Sequence, residues 1–210
     1  MSAACAYVFG RGDSLGLPCE LGPVLPDGFC VWHSRTGDKK LPGDVEAVLR
    51  RRGEEGLSLE GFDLTGANLR HASLGGLDLS GVSLIEADLA LADLSRARLA
   101  RADLTNAFLF GARLTGADLT RAFLIGADIS DADLFGANLG GVDAFDADFR
   151  RAVLSLANLR RADLSSASLR WARLKGTDLR GAKLTDADLR NVDLTRINPA
   201  GVEFKVARLE

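Results

Sequence analysis

Large apolar residues recur at every fifth position of this chain from Leu59 onward. Leu59, Leu64, Leu69, Leu74 and Leu79 open a series that runs to Leu209, and Leu fills 26 of its 31 positions. Ile129, Ala144, Phe149, Pro199 and Phe204 fill the rest. Taking the large residue as position i, the residue at i−2 is small, Ala in 22 of the 31 cases. Asp or Asn often stands between them, as in Asp88, Asp93, Asp103 and Asn138. The consensus A-[DN]-L-x-x runs without an insertion to the C-terminus. A helix repeats every 3.6 residues and a strand every 2.0, so neither is continuous here. Period five fits a chain that turns a corner in every quintet. The i−2 and i side chains then share one face of a short extended segment. Gly recurs at i+2, from Gly61 to Gly201, where a corner requires positive φ. Four corners close a coil, and stacked coils pair through their backbones. Leu and Ala become ladders inside, with Ala at i−2 leaving room for Leu in a narrow tube.

The A-[DN]-L-x-x array resembles the pentapeptide repeat family, over residues 57–210. The resemblance implies an all-β solenoid, a right-handed quadrilateral β-helix with four quintets per coil. The 31 quintets make just under eight coils, a rod about 37 Å long at the ~4.8 Å spacing of paired strands. Ala144 is small where Leu belongs, and its partner Val142 is larger than Ala, so the volumes partly offset. Bulkier residues stand at i−2 near both ends: Leu57, Phe62, Leu77 and Val82, then Val192, Ile197 and Val202. They suit coils that close the core. Pro199 cannot donate to a ladder and fits near an edge.

Residues 1–56 are different. Four of the five prolines and all three cysteines fall there. Cys5, Cys19, Cys30 and His33 form a C-x13-C-x10-C-x2-H pattern, a set of three thiols and an imidazole that matches structural zinc. Three cysteines cannot all pair as disulfides. The reading is a small Cys3His zinc-like module over 1–40 with a structural Zn2+; the alternative is three ordinary small thiols and a surface His. A short segment with few aliphatics needs such a staple. Over 41–56 a helix is expected, because Val45, Val48 and Leu49 share a face and Gly53 offers a C-terminal cap. Arg50, Arg51 and Arg52 would offset its dipole. This helix is expected to close the open N-terminal end of the rod, where unpaired backbone and apolar ladders would otherwise be exposed.

Composition narrows the function. A net charge of −3 excludes a strongly basic nucleic-acid binder, and no direct nucleic-acid binding is expected. With 47% hydrophobic residues, the chain is not a disordered one. No apolar run approaches the ~20 residues of a membrane span, and the N-terminus lacks the layout of a signal peptide. A cytoplasmic, non-membrane protein is the expectation. Catalytic motifs are weak. Gly12-Asp13-Ser14-Leu15-Gly16 spells a nucleophile elbow, but Pro18 and Cys19 follow where a helix is required. Arg11-Gly12-Asp13 is a chance adhesion tripeptide, and His71 is a solvated corner residue. The protein is read as not an enzyme.

Sorting the outward positions i−1, i+1 and i+2 by face divides the charge. The face through Leu64, Leu84 and Leu104 carries Asp63, Glu86, Asp103, Asp143, Asp146, Asp163, Asp186 and Glu203 against Lys183 and Lys205, net −6. It also carries Ile85, Phe123, Ile125 and Phe145. The face through Leu59, Leu79 and Leu99 holds six arginines against four acids, net +2. An acidic strip with exposed aromatics is a candidate partner site, with Asp63, Glu86, Asp103, Phe123, Ile125, Asp143, Phe145, Asp146, Asp163 and Asp186 as its residues. Solvated corners without a partner are the bland alternative. The family resemblance implies a sharper reading: some relatives present an acidic, duplex-like surface to DNA gyrase and protect it from inhibitors. The other reading is a generic interaction scaffold whose N-terminal zinc module carries recognition. Phe204 and Val206 near the C-terminal coil are candidates for an end-to-end homodimer.

Overall fold

A computed structural model describes residues 5–8, 18–19, 45–195, 197, 200–203, 205 and 207–208. The first element pair is small. Strand β1 (Cys5–Val8) runs antiparallel to β2 (Pro18–Cys19), with Cys5 opposite Cys19. Helix α1 (Val45–Glu54) follows. From there to the C-terminus the described chain is a stack of corners.

The coil is set by parallel bridges between residues 20 apart, beginning Asp63 to Ser83 and Asn68 to Asp88 and reaching Asp188 to Arg208. Twenty residues are four quintets, so each coil has four sides. Each side pairs through one residue, i−1, rather than a long strand, because the corner uses the rest of the quintet. Two backbone bonds flank every bridge: at the first, Leu64 N–H donates to Ser83 O at 2.7 Å and Ser83 N–H to Phe62 O at 2.8 Å. The corner is a β-turn in which the next i−2 N–H donates to the i carbonyl, as Ala67 does to Leu64 at 2.9 Å. Its third residue is left-handed at every described corner, the type II signature. Sixteen residues other than glycine hold φ of 55 to 62° at i+2, a conformation that costs an L-residue about 1–2 kcal/mol.

Asp and Asn at i−1 offset that cost. At every described Asp or Asn in this position, from Asp63 to Asp193, Oδ1 accepts the N–H of i+1 at 2.9–3.3 Å. The i+1 amide is the donor that neither the turn nor the coil-to-coil ladder uses, and the short side chain satisfies it in an Asx-turn. The consensus acid is therefore a structural group first.

The interior is as the period predicts. Leu at i and Ala at i−2 are buried throughout the central coils. Phe149 and Ala144, five residues apart in one coil, are both fully buried, so the ring fills a layer in which its neighbour is small. Phe62 and Val82 are buried as expected, whereas Leu57 is 40% exposed and lies outside the tube. Phe204, Val206 and Pro199 lie outside the described residues.

Helix α1 lies against the first coil. Val45 and Leu49 join the same buried cluster as Leu59 and Phe62, and Glu46 Oε1 accepts the Ser73 N–H at 3.0 Å. That amide points away from the stack, toward the end with no preceding coil. The Arg52 guanidinium donates to Ser58 O at 2.9 Å and sits 5.4 Å from the Phe62 ring centre. Gly53 is inside the helix, not its cap. The left-handed terminator is Gly56, φ 68°, with Gly56 N–H on Gly53 O and Leu57 N–H on Arg52 O, a Schellman motif. Gly53 instead packs against Leu77, whose Cδ2 methyl would lie 2.5 Å from a Cβ there and would have to shift.

Candidate functional site

Every outward side chain sits on one of three kinds of position. Position i−1 is the middle of a side, mostly half-buried in the central coils and tied to the corner when it is Asp or Asn. Positions i+1 and i+2 form the edges of the rod and are free to vary. This geometry sorts the ten acidic-face candidates. Asp63 is drawn into the corner: it is 6% exposed, with Oδ1 held by Thr65 N–H at 3.0 Å and Thr65 Oγ1 at 2.5 Å. Asp103 is half-buried and gripped the same way by Thr105. Asp143 caps Phe145 N–H. Asp163 caps Ser165 N–H and accepts Lys183 Nζ at 3.1 Å. Burial works against ionisation of Asp163, yet the Ser165 and Lys183 bonds outweigh it and its pKa falls below the usual carboxylate value.

Glu86, Asp146 and Asp186 are different. All three occupy i+2, are exposed, and have no cation within 4 Å among the described residues. They lie along one edge of the rod. Phe145 and Phe123 stand beside them, 48% and 44% exposed, while Ile125 and Ile85 are half-buried. The outward apolar surface of this face is therefore carried by the two rings.

The neighbouring side, through Leu69 and Leu89, adds residues that the charge count passed over. Phe108 and Phe110 are exposed, and with Arg70, Glu86, Asp88 and Ala90 they line an open groove of about 570 Å3. Glu86 sits on its rim, so the acidic edge and the aromatic groove are continuous. Phe108 bridges between Asp88 and Asp128, a position the consensus reserves for Asp or Asn. An aromatic at a consensus-acid position is the sequence signal that could have found it. This side is otherwise neutralised by local pairs, including Arg150 with Asp148 at 2.6 Å and Arg151 with Asp131 at 2.8 Å.

Cys5 and Cys19 are backbone partners in the β1–β2 register, while Cys30 and His33 lie outside the described residues. Among the described residues no group of His, Cys, Asp and Glu is arranged to hold a metal. No described helix is long and apolar enough to cross a membrane.

Comparison with known proteins gives one family. The model for pentapeptide repeats matches in eight copies, over residues 55–84, 63–99, 78–116, 112–151, 145–181 and 162–198. No curated protein sequence matches. Among solved structures the chain is similar to HetL, a pentapeptide repeat protein involved in heterocyst differentiation regulation from the cyanobacterium Nostoc sp. strain PCC 7120. Identity is 34%, covering 71% of this chain and 81% of that one, with a TM-score of 0.32. Rfr23, a pentapeptide repeat protein from the cyanobacterium Cyanothece 51142, is 22% identical over 78% and 99% of the two chains, with a TM-score of 0.36. Full-length QnrB1, a plasmid-mediated fluoroquinolone resistance protein, is 16% identical over 70% and 91%, with a TM-score of 0.24.

Proposed function

This chain belongs to the pentapeptide repeat family, whose model matches it across residues 55–198, and on that premise we propose that it is a non-catalytic rod that docks a basic protein surface through its acidic face. Proteins of this family fold as right-handed β-helices and serve as interaction scaffolds. The observation that carries the proposal is the unbalanced edge formed by Glu86, Asp146 and Asp186 beside the exposed rings of Phe123 and Phe145. Elsewhere on the rod several acids pair with a basic residue, as Asp78 does with Arg98, Asp131 with Arg151 and Asp178 with Arg180. A strip of unpaired carboxylates with aromatic anchors fits an interface in which charge steers encounter and rings supply affinity. The partner we name is the DNA-binding surface of DNA gyrase, for which carboxylates set along one edge of the rod stand in for duplex phosphates. A supercoiling assay with a fluoroquinolone tests it: the protein should preserve activity at inhibitor levels that otherwise stop the enzyme. No effect at micromolar protein rules gyrase out.

Two features of the N-terminal segment belong to the same reading. Helix α1 closes the first coil; the Glu46 bond to Ser73 and the burial of Val45 and Leu49 support this. A structural Zn2+ held by Cys5, Cys19, Cys30 and His33 staples residues 1–40, and the register that sets Cys5 opposite Cys19 supports it. Metal analysis after exhaustive dialysis should return one zinc per chain. None would refute the module, and with it the alternative in which this module recognises the partner.

A further inference from the structure

Four arginines on the side through Leu59 and Leu79 have no carboxylate within 4 Å among the described residues: Arg101, Arg121, Arg160 and Arg161. Their neighbours are spoken for. Arg98 pairs with Asp78 at 3.3 Å, and Asp178 is held by Arg180. Asp118 is taken up by Thr120 and by the Asn138 amide. The net +2 of this side is therefore not spread along it but gathered at one edge.

Three of these arginines, Arg121, Arg160 and Arg161, line a recess of about 420 Å3. Gly140 and Gly141 form its floor, because both edge positions of that quintet lack a side chain. Thr120, Asn138 and Asn158 complete the wall, and no carboxylate lines it. The two asparagines are pinned: Asn158 Nδ2 donates to Asn138 Oδ1 at 2.8 Å, and Asn138 Nδ2 to Thr120 Oγ1 at 2.7 Å. A Cβ on Gly140 would stand 3.3 Å from both amides, so the notch is kept open against a rigid wall.

Gathering like charges costs Coulomb energy even in water. A bound anion offsets that cost. Guanidinium forks match tetrahedral oxyanions in two-point fashion, and three cations suit a dianion better than a single carboxylate. The recess also exceeds the size of the oxyanion alone. We propose that the Gly140–Gly141 notch is a binding site for the phosphate group of a small phosphate ester, held by Arg121, Arg160 and Arg161.

Calorimetric titration of the full chain with inorganic phosphate and with pyrophosphate tests the site, using Arg160→Gln/Arg161→Gln and the control pair Arg98→Gln/Arg180→Gln. Both pairs remove two charges, but only the first borders the notch. Pyrophosphate should bind the natural chain saturably below about 1 mM, at least about tenfold more weakly in the notch variant, and unchanged in the control. A circular-dichroism melt of each variant checks folding, and the single Arg161→Gln variant, expected to weaken binding severalfold, stands in if the double variant unfolds. Absence of saturation, equal loss in the control, or unchanged affinity in a folded notch variant would overturn the proposal. So would short duplex DNA displacing pyrophosphate and losing affinity equally in both variants, which would assign the arginines to a diffuse polyanion surface.

Discussion

The acidic face and the arginine face are built on one backbone, with the same corners, the same bridges and the same Leu and Ala behind them. Asp103 on the first and Asp118 on the second hold the corner amide at 3.0 and 3.1 Å, each with a threonine hydroxyl on the same oxygen. The faces differ in what stands at i+1 and i+2: Glu86, Asp146 and Asp186 on one, Arg121, Arg160 and Arg161 on the other. Charge at i−1 is architecture, and charge at the edges is available to a ligand. A residue count that pools the two overstates how acidic the first face is to a partner and understates how concentrated the basic charge is on the second.

The largest effects should ignore the difference between faces. Leu104→Ala and Leu119→Ala, one behind each face, should each cost about 2–5 kcal/mol by denaturant unfolding. A clear disparity would mean that the two sides of the tube are not equivalent. Next come the corner acids. Asp103→Ala and Asp118→Ala should each cost about 1 kcal/mol, by analogy with loss of a side-chain cap, while the Asn variants, which keep the acceptor, recover most of it. If Asp103→Ala leaves thermal stability unchanged, the structural reading of i−1 fails. Smaller again is the pH effect at Asp178. Its hydrogen bond from Arg180, chiefly, holds the carboxyl at about 2 against an ordinary 3.8. A depressed folded value means the stabilisation is full above the unfolded pKa and is lost as pH falls from about 4 toward 2. Asp178→Asn should flatten that part of the stability curve, and an unchanged curve would assign the acid sensitivity to other carboxylates.

The repeat, the inward ladders and the 20-residue coil were all legible in the sequence, because a solenoid is nearly one-dimensional and each position has a fixed environment. The purpose of the i−1 acid was only half legible. Its outward placement followed from the period, but its bond to the i+1 amide depends on which donors the coil leaves unused. Asp63 is buried for the same reason, its carboxylate being drawn into the corner. The pairing of arginines also needed coordinates. Arg150, Arg180 and Arg190 have Asp two residues before them and bond to it, whereas Arg160 follows Asn158. That rule can be applied to sequence once known, and it marks the edge where positive charge is left over. A glycine near a helix end usually caps it, but Gly53 lies inside α1 and packs against Leu77, a tertiary contact invisible along the chain.

The central claim is that the edge carboxylates, not the corner ones, meet the partner. Binding of purified DNA gyrase to the natural chain and to Glu86→Lys/Asp146→Lys/Asp186→Lys, at equal ionic strength and with thermal midpoints measured alongside, tests it most directly. The account predicts at least about tenfold weaker binding by the variant, with a melting temperature within a few degrees of the natural chain because exposed edge charges contribute little to stability. Equal affinity in a folded variant would contradict it.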